Sequence, residues 1–234
     1  MAVKRAQQMV MASHACLLVM DAAEGLTRGD LQIADLILKH QKSCIVLANK
    51  LDLLSDEDAR AKLPDLLVDR LPMLRYAPVV PGSVLEGDGI EDAMALVLEA
   101  ARWRGVRVPR RQLNELFARA QILRPLPYVK ASKATQAGRL RIRYVLQAPT
   151  EAPTFVCHMN RSADLHTSDV QWIENTLRSQ WAFTGTPLRL VFRTRETRAR
   201  RQSQARKEYG RRRNARTRNV KRKMELLGGG VAQP

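Results

Sequence analysis

The chain has 234 residues, of which 45% are hydrophobic and only 5% aromatic, and its formal net charge is +17. This length allows one or two domains with a real hydrophobic core, and the hydrophobic content excludes a wholly disordered chain. The strong excess of positive charge indicates a polyanionic partner.

The first 104 residues alternate apolar segments with amphipathic ones. Short runs rich in Ile, Val and Leu predict buried strands, because they are too short for helices. Thr27 and Ser55 are predicted to be N-cap residues, Thr27 with Asp30 at the capping-box spacing. Strands that alternate with helices indicate an α/β fold with a parallel sheet and right-handed crossovers. The predicted strands cover residues 15–20, 44–48 and 77–80, and the predicted helices cover residues 1–13, the segment after Thr27, residues 55–70 and residues 90–104.

These three predicted strands end in polar residues, at Asp21, Asn49 and Ser83. The carboxyl ends of parallel strands meet at one edge of the sheet, which is where ligands bind in open α/β folds. We therefore expect the three residues to share one edge.

After Gly105 the pattern changes to that of a small α+β domain. Residues 139–144 alternate arginine with apolar residues, which predicts a strand with Arg139, Arg141 and Arg143 on one face. The short connection that follows predicts an antiparallel hairpin. The predicted elements are a helix over residues 110–123, strands over residues 139–144, 154–159 and 188–192, and a helix that Ser168 caps with Gln171 at the capping-box position.

Most of the net charge lies near the carboxyl terminus. Residues 193–223 contain 15 Lys and Arg against 2 acidic residues, a net charge of +13. No apolar stripe accompanies this charge, so we expect residues 194–234 to be a disordered basic tail. A solubilising segment would have the same composition, but the charge density favours nucleic-acid binding that depends strongly on salt.

The number of cysteines and the hydropathy of the chain indicate the cellular compartment in which the protein is expected. The three cysteines, Cys16, Cys44 and Cys157, are too few and too scattered for a disulfide framework, and no CxxC or HxxxH spacing indicates a metal site. We expect buried thiols in a reducing compartment. No apolar run approaches the length of a transmembrane helix and no signal-peptide pattern is present, so we predict neither secretion nor a membrane partner.

The segment SCIVLANKLD, residues 43–52, joins an apolar strand to a polar cluster. The Asp52 carboxylate can accept hydrogen bonds from N1 and N2 of guanine, which adenine cannot offer in that arrangement. The amide of Asn49 can donate and accept, and the aliphatic stem of Lys50 can cover a ring face. Four positions alone match by chance, but at the end of a buried strand the NKxD pattern is a much more specific signal of guanine binding. A polar turn without a ligand would also explain it.

Taken together, residues 12–193 resemble the carboxyl-terminal part of the Der (EngA) family of ribosome-assembly GTPases. The later blocks are the more specific ones, because ordinary GTPases lack the domain that follows. The blocks that carry the resemblance are residues 19–22 (VMDA) with Gly25, residues 49–52 (NKLD), residues 76–80 (YAPVV) with 83–85 (SVL), residues 138–144 (GRLRIRY), residues 153–156 (PTFV), residues 173–178 (IENTLR) and residues 185–193 (GTPLRLVFR).

The resemblance implies a domain organisation and a ligand. Residues 1–104 would be the second half of a GTPase domain, residues 105–193 a KH-like domain and residues 194–234 the basic tail. Asn49, Lys50 and Asp52 would read the guanine of GTP, and the backbone at Ser83 and Val84 would support its carbonyl oxygen. Ribosomal RNA and the large ribosomal subunit would be the partners. The residues predicted to contact RNA are Arg139, Arg141, Arg143, Arg200, Arg201, Arg211, Arg212 and Arg213.

The sequence departs from the family pattern at the phosphate side of the site. No GxxxxGK(S/T) occurs, so neither a phosphate cradle nor the hydroxyl that holds Mg²⁺ is present, and residues 21–25 (DAAEG) have the wrong spacing for DxxG. We therefore expect this chain alone not to hydrolyse GTP. Without the neighbouring strand of a complete domain, the strand at residues 16–20 should have a free edge. A fragment, or a chain completed by the missing GTPase portion in trans, would explain these features.

Two functions follow from these observations. One is a GTP-binding factor for assembly of the large ribosomal subunit, in the cytoplasm or in a mitochondrion or plastid. The alternative is a non-catalytic RNA-binding or ribosome-associated scaffold protein. A solvated outer strand face would explain Arg139, Arg141 and Arg143 without RNA, and the GxxG loop that clamps nucleic acid in ordinary KH domains is absent.

Overall fold

The computed structural model describes residues 2–130, 137–161 and 165–194. Its first part contains a three-stranded parallel sheet in the order β1-β2-β3, as the alternation of strands and helices predicts. The third strand begins two residues later and ends one residue later than predicted, and is only three residues long. The strands are β1 Ala15–Asp21, β2 Ser43–Asn49 and β3 Val79–Pro81.

Four helices accompany this sheet and cover both of its faces. The central strand β2 is buried from Ser43 to Ala48, with alternate side chains in two different cores. One core contains Val46 and the other contains Ile45 and Leu47, which pack with Ala93 and Ala100. The helices are α1 Ala2–Ala12, α2 Arg28–Lys39, α3 Glu57–Arg70 and α4 Ile90–Gly105.

The second part, from Arg110, contains a second three-stranded sheet and a two-stranded ribbon. In the larger sheet, β6 and β7 form the predicted antiparallel hairpin, and β7 pairs in parallel with β8. Helices α5 and α6 pack on this sheet around buried Leu113, Phe117, Phe155 and Leu177. The elements are α5 Arg110–Leu123, β4 Tyr128–Val129, β5 Gly138–Arg139, β6 Ile142–Ala148, β7 Thr154–Met159, α6 Thr167–Gln180 and β8 Arg189–Arg193.

One of the three predicted helix caps is confirmed. Thr27 forms a reciprocal capping box with Asp30 at the start of α2. The prediction for Ser55 is wrong by one residue, because the Asp56 carboxylate accepts the hydrogen bond from the backbone of Asp58. The prediction for Ser168 is wrong as well, since α6 already begins at Thr167 and its cap residue makes no side-chain hydrogen bond.

The prediction of one continuous strand over residues 139–144 is also wrong. Residues 138–139 belong to β5, which pairs with β4, while β6 begins at Ile142. A shift in register between Ile142 and Tyr144 inserts Arg143 as an extra residue, so that the next buried position is Val145. Arg139, Arg141 and Arg143 are nevertheless all exposed.

A hydrogen-bonded seam joins the two parts at the amino end of β2. The Ser43 hydroxyl lies 3.1 Å from that of Thr186, and both residues are fully buried. The Cys44 N–H donates to the carbonyl oxygen of Gly185, and the Thr186 hydroxyl donates to that of Ala100. The predicted domain boundary after residue 104 falls near this seam, at the end of α4, and stays a prediction.

The structure also bears on the thiols and on membranes. Cys44 and Cys157 are fully buried, as predicted, and burial raises the pKa of the Cys157 thiol to about 12. The prediction of a buried thiol is wrong for Cys16, which is only half-buried because β1 is an edge strand, and its Sγ lies 3.2 Å from the Ser13 hydroxyl. None of the helices in the described part of the chain combines the length and the apolar character needed to cross a bilayer.

Candidate functional site

The carboxyl edge of the parallel sheet collects the polar ends of β1, β2 and the loop after β3. Asp21 and Asn49 lie opposite each other in the β1–β2 register. The chain after β3 is fixed to this edge through Gly82, whose N–H donates to Ala48 and whose carbonyl oxygen accepts from Leu51. The expectation that Asp21, Asn49 and Ser83 share one edge is thus confirmed.

Asp52 is oriented by a residue 31 positions away in the sequence. It lies in a short 3-10 turn at residues 51–53, and the hydroxyl of Ser83 donates to its Oδ1 at 2.5 Å. Ser83 is almost completely buried, so this contact is shielded from solvent. No other described residue forms a hydrogen bond with the Asp52 carboxylate, so Oδ2 remains available to a ligand.

Asn49 connects the end of β2 to the same loop. Its Oδ1 accepts a hydrogen bond of 2.8 Å from the N–H of Val84. The Val84 N–H is therefore already engaged, and a purine oxygen would have to share it. In the described part of the chain no acceptor faces Asn49 Nδ2, which keeps two donors for a ligand.

Lys50 has the left-handed conformation, with φ of 66° and ψ of 35°. A non-glycine residue in this region costs about 1 kcal/mol or more, and such residues cluster at functional sites. Its ammonium lies 2.6 Å from Oδ2 of Asp21. This hydrogen bond lowers the pKa of Asp21, which backbone N–H groups of Glu24 and Ala23 lower further, and it raises the pKa of Lys50.

Two glycines shape the loop that presents Ser83. Ser83 and Asp88 form a backbone bridge that closes it. A Cβ on Gly82 would collide with the carbonyl oxygen of Asp88, and Gly89 has φ of +73° with the carbonyl oxygen of Pro81 at 2.5 Å from a Cβ. Neither position can hold another residue without moving this backbone. The loop leaves the side chain of Leu85 88% exposed.

The structure thus brings all five predicted ligand-contacting residues, Asn49, Lys50, Asp52, Ser83 and Val84, to one edge. Sequence reasoning missed the role of Asp21 as the partner that holds Lys50. Its place at the end of the strand next to β2 was the available signal, because parallel neighbours end side by side. Whether these residues bind a nucleotide stays a prediction.

The arrangement offers hydrogen-bonding groups to a planar ring. A carboxylate oxygen and a free amide nitrogen on one edge match a planar ring that offers adjacent donors and an acceptor. The GxxxxGK(S/T) segment that would hold phosphates and Mg²⁺ does not occur in the sequence. In the described ranges, no group of three or more His, Cys, Asp or Glu side chains is placed to hold a metal ion.

The predicted RNA-contacting residues fall into two groups. Arg139, Arg141 and Arg143 are exposed around the start of β6. The other predicted residues, Arg200, Arg201, Arg211, Arg212 and Arg213, lie outside the described residues, as does the predicted tail.

Comparison with known proteins gives one family match and many relatives. Residues 107–193 match the family described as KH-domain-like of EngA bacterial GTPase enzymes, C-terminal. GTPase Der of Symbiobacterium thermophilum is 35% identical over 195 residues, which are 83% of this chain and 40% of that protein. GTPase Der of Thermomicrobium roseum is 33% identical over 196 residues, which are 82% of this chain and 41% of that protein.

The chain therefore spans about 40% of the length of the curated relatives it matches. Among solved structures, Aquifex aeolicus Era bound to GDP.AlF4- has a TM-score of 0.37 and 18% identity over 82% of this chain and 68% of that one, which is too distant to bear on the site. Since these relatives match more than 80% of this chain and residues 107–193 match the EngA family model, the chain corresponds to the carboxyl-terminal part of the GTPase Der (EngA) family.

Proposed function

We propose that this chain is a Der-type guanine-nucleotide-binding protein that works with ribosomal RNA in assembly of the large ribosomal subunit. The observation that supports it most is the hydrogen bond of 2.5 Å from buried Ser83 to Asp52, which fixes the carboxylate of the NKxD pattern at the edge of the sheet. The proposed location is with the ribosome, in the cytoplasm or in a mitochondrion or plastid.

The chemistry of the edge selects guanine over adenine. Guanine presents two adjacent donors, N1–H and the N2 amino group, which the Asp52 carboxylate can accept through its free Oδ2 and the second lone pair of Oδ1, the oxygen that Ser83 holds. Adenine presents an unprotonated N1 there, which the carboxylate repels. Asn49 keeps its Nδ2 donors for the opposite, acceptor edge of the purine, because its Oδ1 is held by Val84.

This sequence contains no GxxxxGK(S/T) segment for the phosphate side of the site. The curated relatives are more than twice as long as the matched region, and we propose that the missing GTPase portion completes the site in trans. The free edge of β1 supports this, since β1 pairs only with β2 among the described residues. Leu17 and Val19 are 36% and 48% exposed on this strand, and a partner strand would cover them.

The test is a titration of the chain with GDP, ATP and XDP, followed through the backbone amide signals of residues 83–85 by NMR, which detects millimolar binding. GDP should shift these signals and ATP should not. Asp52→Asn should change the ratio of GDP to XDP affinity by about 100-fold or more, because an amide donor then faces the donors of guanine.

Asp88→Asn is the matched control, since it makes the same change on an exposed carboxylate of the same loop. It should leave the preference for GDP unchanged. Equal responses to GDP and ATP in the unaltered chain would show that the edge does not read guanine.

A second candidate function is that of a non-catalytic RNA-binding scaffold protein. Two observations favour it. Residues 107–193 match a KH-like family, and this sequence contains no GxxxxGK(S/T) segment that could hold phosphates. RNA binding that is identical in the unaltered chain and in Asp52→Asn, together with no response to any nucleotide, would be its signature.

A further inference from the structure

A cleft opens in the KH-like region where the end of α5 meets the start of β6. Its volume is about 410 Å³, within the range of pockets that bind small ligands. Buried Leu126, Leu140 and Ile142 form its apolar floor, and exposed Arg139 and Arg141 supply its charge. None of the described residues that line it is acidic, so the cleft favours an anionic ligand.

One of the residues that line the cleft, and two of their neighbours in the sequence, are large apolar side chains that face solvent. Ile122 lines it and is 79% exposed, and the neighbouring Leu123 is 87% exposed. Tyr128, five residues further on, is 64% exposed. Single exposed apolar side chains are common on protein surfaces, but Ile122 lies in the lining and Tyr128 pairs with Arg139 of the lining, so that apolar and cationic groups occur together, as they do on binding surfaces.

The aromatic ring and one of the arginines lie on the same side of the ribbon. Tyr128 pairs directly with Arg139 across the antiparallel β4–β5 ladder, and directly opposed residues project from the same face. The ring therefore presents a flat apolar surface next to a guanidinium group. This combination suits a nucleobase bonded to a phosphate-bearing backbone.

The backbone that carries the arginines is held in place by side-chain amides. Asn160 donates to the carbonyl oxygen of Arg139 and accepts from the N–H of Arg141, both at 2.9 Å. Gln121 accepts from the N–H of Ile142 at 2.7 Å and donates to its carbonyl oxygen at 3.1 Å. The cleft is thus formed before a ligand binds, which lowers the entropic cost of binding.

We propose that this cleft is a binding site for single-stranded RNA, with one base stacked on Tyr128 and Ile122 and the flanking phosphates on Arg139 and Arg141. The inference rests on the proposed function only in taking RNA as the partner. The absence of GxxG from the sequence removes the usual clamp of KH domains, so contact must use another surface. A duplex keeps its bases stacked on one another and cannot use the ring of Tyr128.

The experiment measures binding of the full chain to a fluorescein-labelled single-stranded RNA of about 12 nucleotides and to the duplex of the same sequence. Salt of about 0.3 M reduces unspecific binding by the tail. Tyr128→Ala should weaken binding of the single strand about tenfold and leave the duplex unchanged, while Tyr128→Phe should bind like the unaltered chain. Arg139→Ala should lower the salt slope by about 0.7, the value of one phosphate on a single strand.

Two matched variants control for general effects of the substitutions. Arg189→Ala removes an exposed arginine at the other edge of the same region, and Leu98→Ala removes an apolar side chain that is 58% exposed on α4. Both should bind RNA like the unaltered chain. Ile122→Ala is a second variant of the cleft, and urea unfolding confirms that each variant is folded.

Several results would overturn the proposal. These are unchanged binding in Tyr128→Ala, an equal loss for duplex and single strand, or an equal loss in the control variants. An acidic, leucine-containing peptide that binds the unaltered chain and not Tyr128→Ala, with RNA binding unchanged, would make the cleft a protein-docking surface instead. Titration with GDP separates the two proposals, because variants of the cleft should bind GDP normally and Asp52→Asn should bind RNA normally.

Discussion

At the scale of single residues, Gly185 determines how closely the two parts of the chain approach each other. It has φ of +59°, and a Cβ there would lie 2.7 Å from Ile45 Cδ1 and 3.0 Å from the Cβ of Ala100. Its carbonyl oxygen accepts the N–H of Cys44 at 2.8 Å. Gly185 therefore allows the amino end of β2 and helix α4 to contact the region that follows α6 directly.

Gly185→Ala should destabilise the chain by about 1–3 kcal/mol, because it combines an unfavourable φ with overpacking of a rigid core. The midpoint and slope of urea unfolding measure this. Gly105→Ala is the control, since a Cβ there meets nothing within 4 Å and lies at the end of α4. If the two variants unfold alike, the contact at Gly185 is not a tight one.

A second residue-scale prediction concerns Glu151. Arg104, which is almost fully buried, donates to its carboxylate at 2.9 Å, and buried Lys42 lies at 3.6 Å. The hydrogen bond from Arg104 and the charge of Lys42 hold the pKa of Glu151 below its usual value of 4.5. The ionised carboxylate therefore stabilises the fold above pH 4.5, and this contribution is lost as pH falls through the lowered pKa.

Glu151→Gln should lower the free energy of unfolding by about 1 kcal/mol near neutral pH, a modest value because solvent screens this exposed carboxylate. The difference from the unaltered chain should disappear as pH falls well below 4.5. Urea unfolding across this range measures it. Glu115→Gln, in the exposed pair with Arg111, is the matched control and should change little at any pH. A difference for Glu151→Gln that persists in acid would exclude the ion pair as its cause.

At the scale of secondary-structure elements, the two sheets differ in whether side chains form hydrogen bonds with the backbone of their outer strands, β6 and β1. The outer edge of β6 is covered by amide side chains of α5. Asn114 Oδ1 accepts from the N–H of Val145 at 2.9 Å, and Gln121 bonds both backbone groups of Ile142. No such cover reaches β1 from the described residues, which fits the proposal that a partner strand binds there.

Gln121→Ala should destabilise the chain by about 1–3 kcal/mol, because it leaves the N–H and carbonyl groups of buried Ile142 without the partners that Gln121 supplies. Thermal and urea unfolding measure the loss. Gln112→Ala on the same helix is the control, since Gln112 is exposed and the described residues give it no hydrogen bond. Equal effects of the two substitutions would mean that the change in stability comes from replacing glutamine in a helix, and not from the loss of the hydrogen bonds to β6.

At the scale of the whole molecule, charge is the dominant property. Of the net charge of +17, +13 lies in residues 193–223, almost all of it outside the described residues. A dense run of Lys and Arg releases many counterions from RNA, which gives affinity with little sequence preference. Among the described residues, the charged side chains that line the cleft beside Tyr128 are Arg139 and Arg141, so the cleft would orient RNA more than it would hold it.

Deleting residues 194–234 should therefore flatten the salt dependence of binding to ribosomal RNA markedly, while Arg141→Ala should change it by about one phosphate contact. The slope of log affinity against log salt concentration measures both. A truncated chain with the affinity and slope of the full chain would show that the tail only solubilises the protein and that the folded region carries recognition.

Sequence by itself determined the features that depend on neighbours along the chain. The apolar run before Asn49 predicted β2 and its polar end, and the spacing of Thr27 and Asp30 predicted the start of α2, both as observed. The family blocks predicted a KH-like region, which the match of residues 107–193 confirms. Such features follow from periodicity and local hydrogen bonding, which a sequence displays directly.

Tertiary structure alone decided which distant residues meet and how closely. Ser83 orients Asp52 across 31 positions, Lys50 reaches Asp21, and Gly185 meets Cys44. It also placed Arg143 as an extra residue in β6, where the alternation of residues 139–144 predicted an unbroken strand. These outcomes depend on register and on packing between elements, whose free energies exceed the local preferences that a pattern reports.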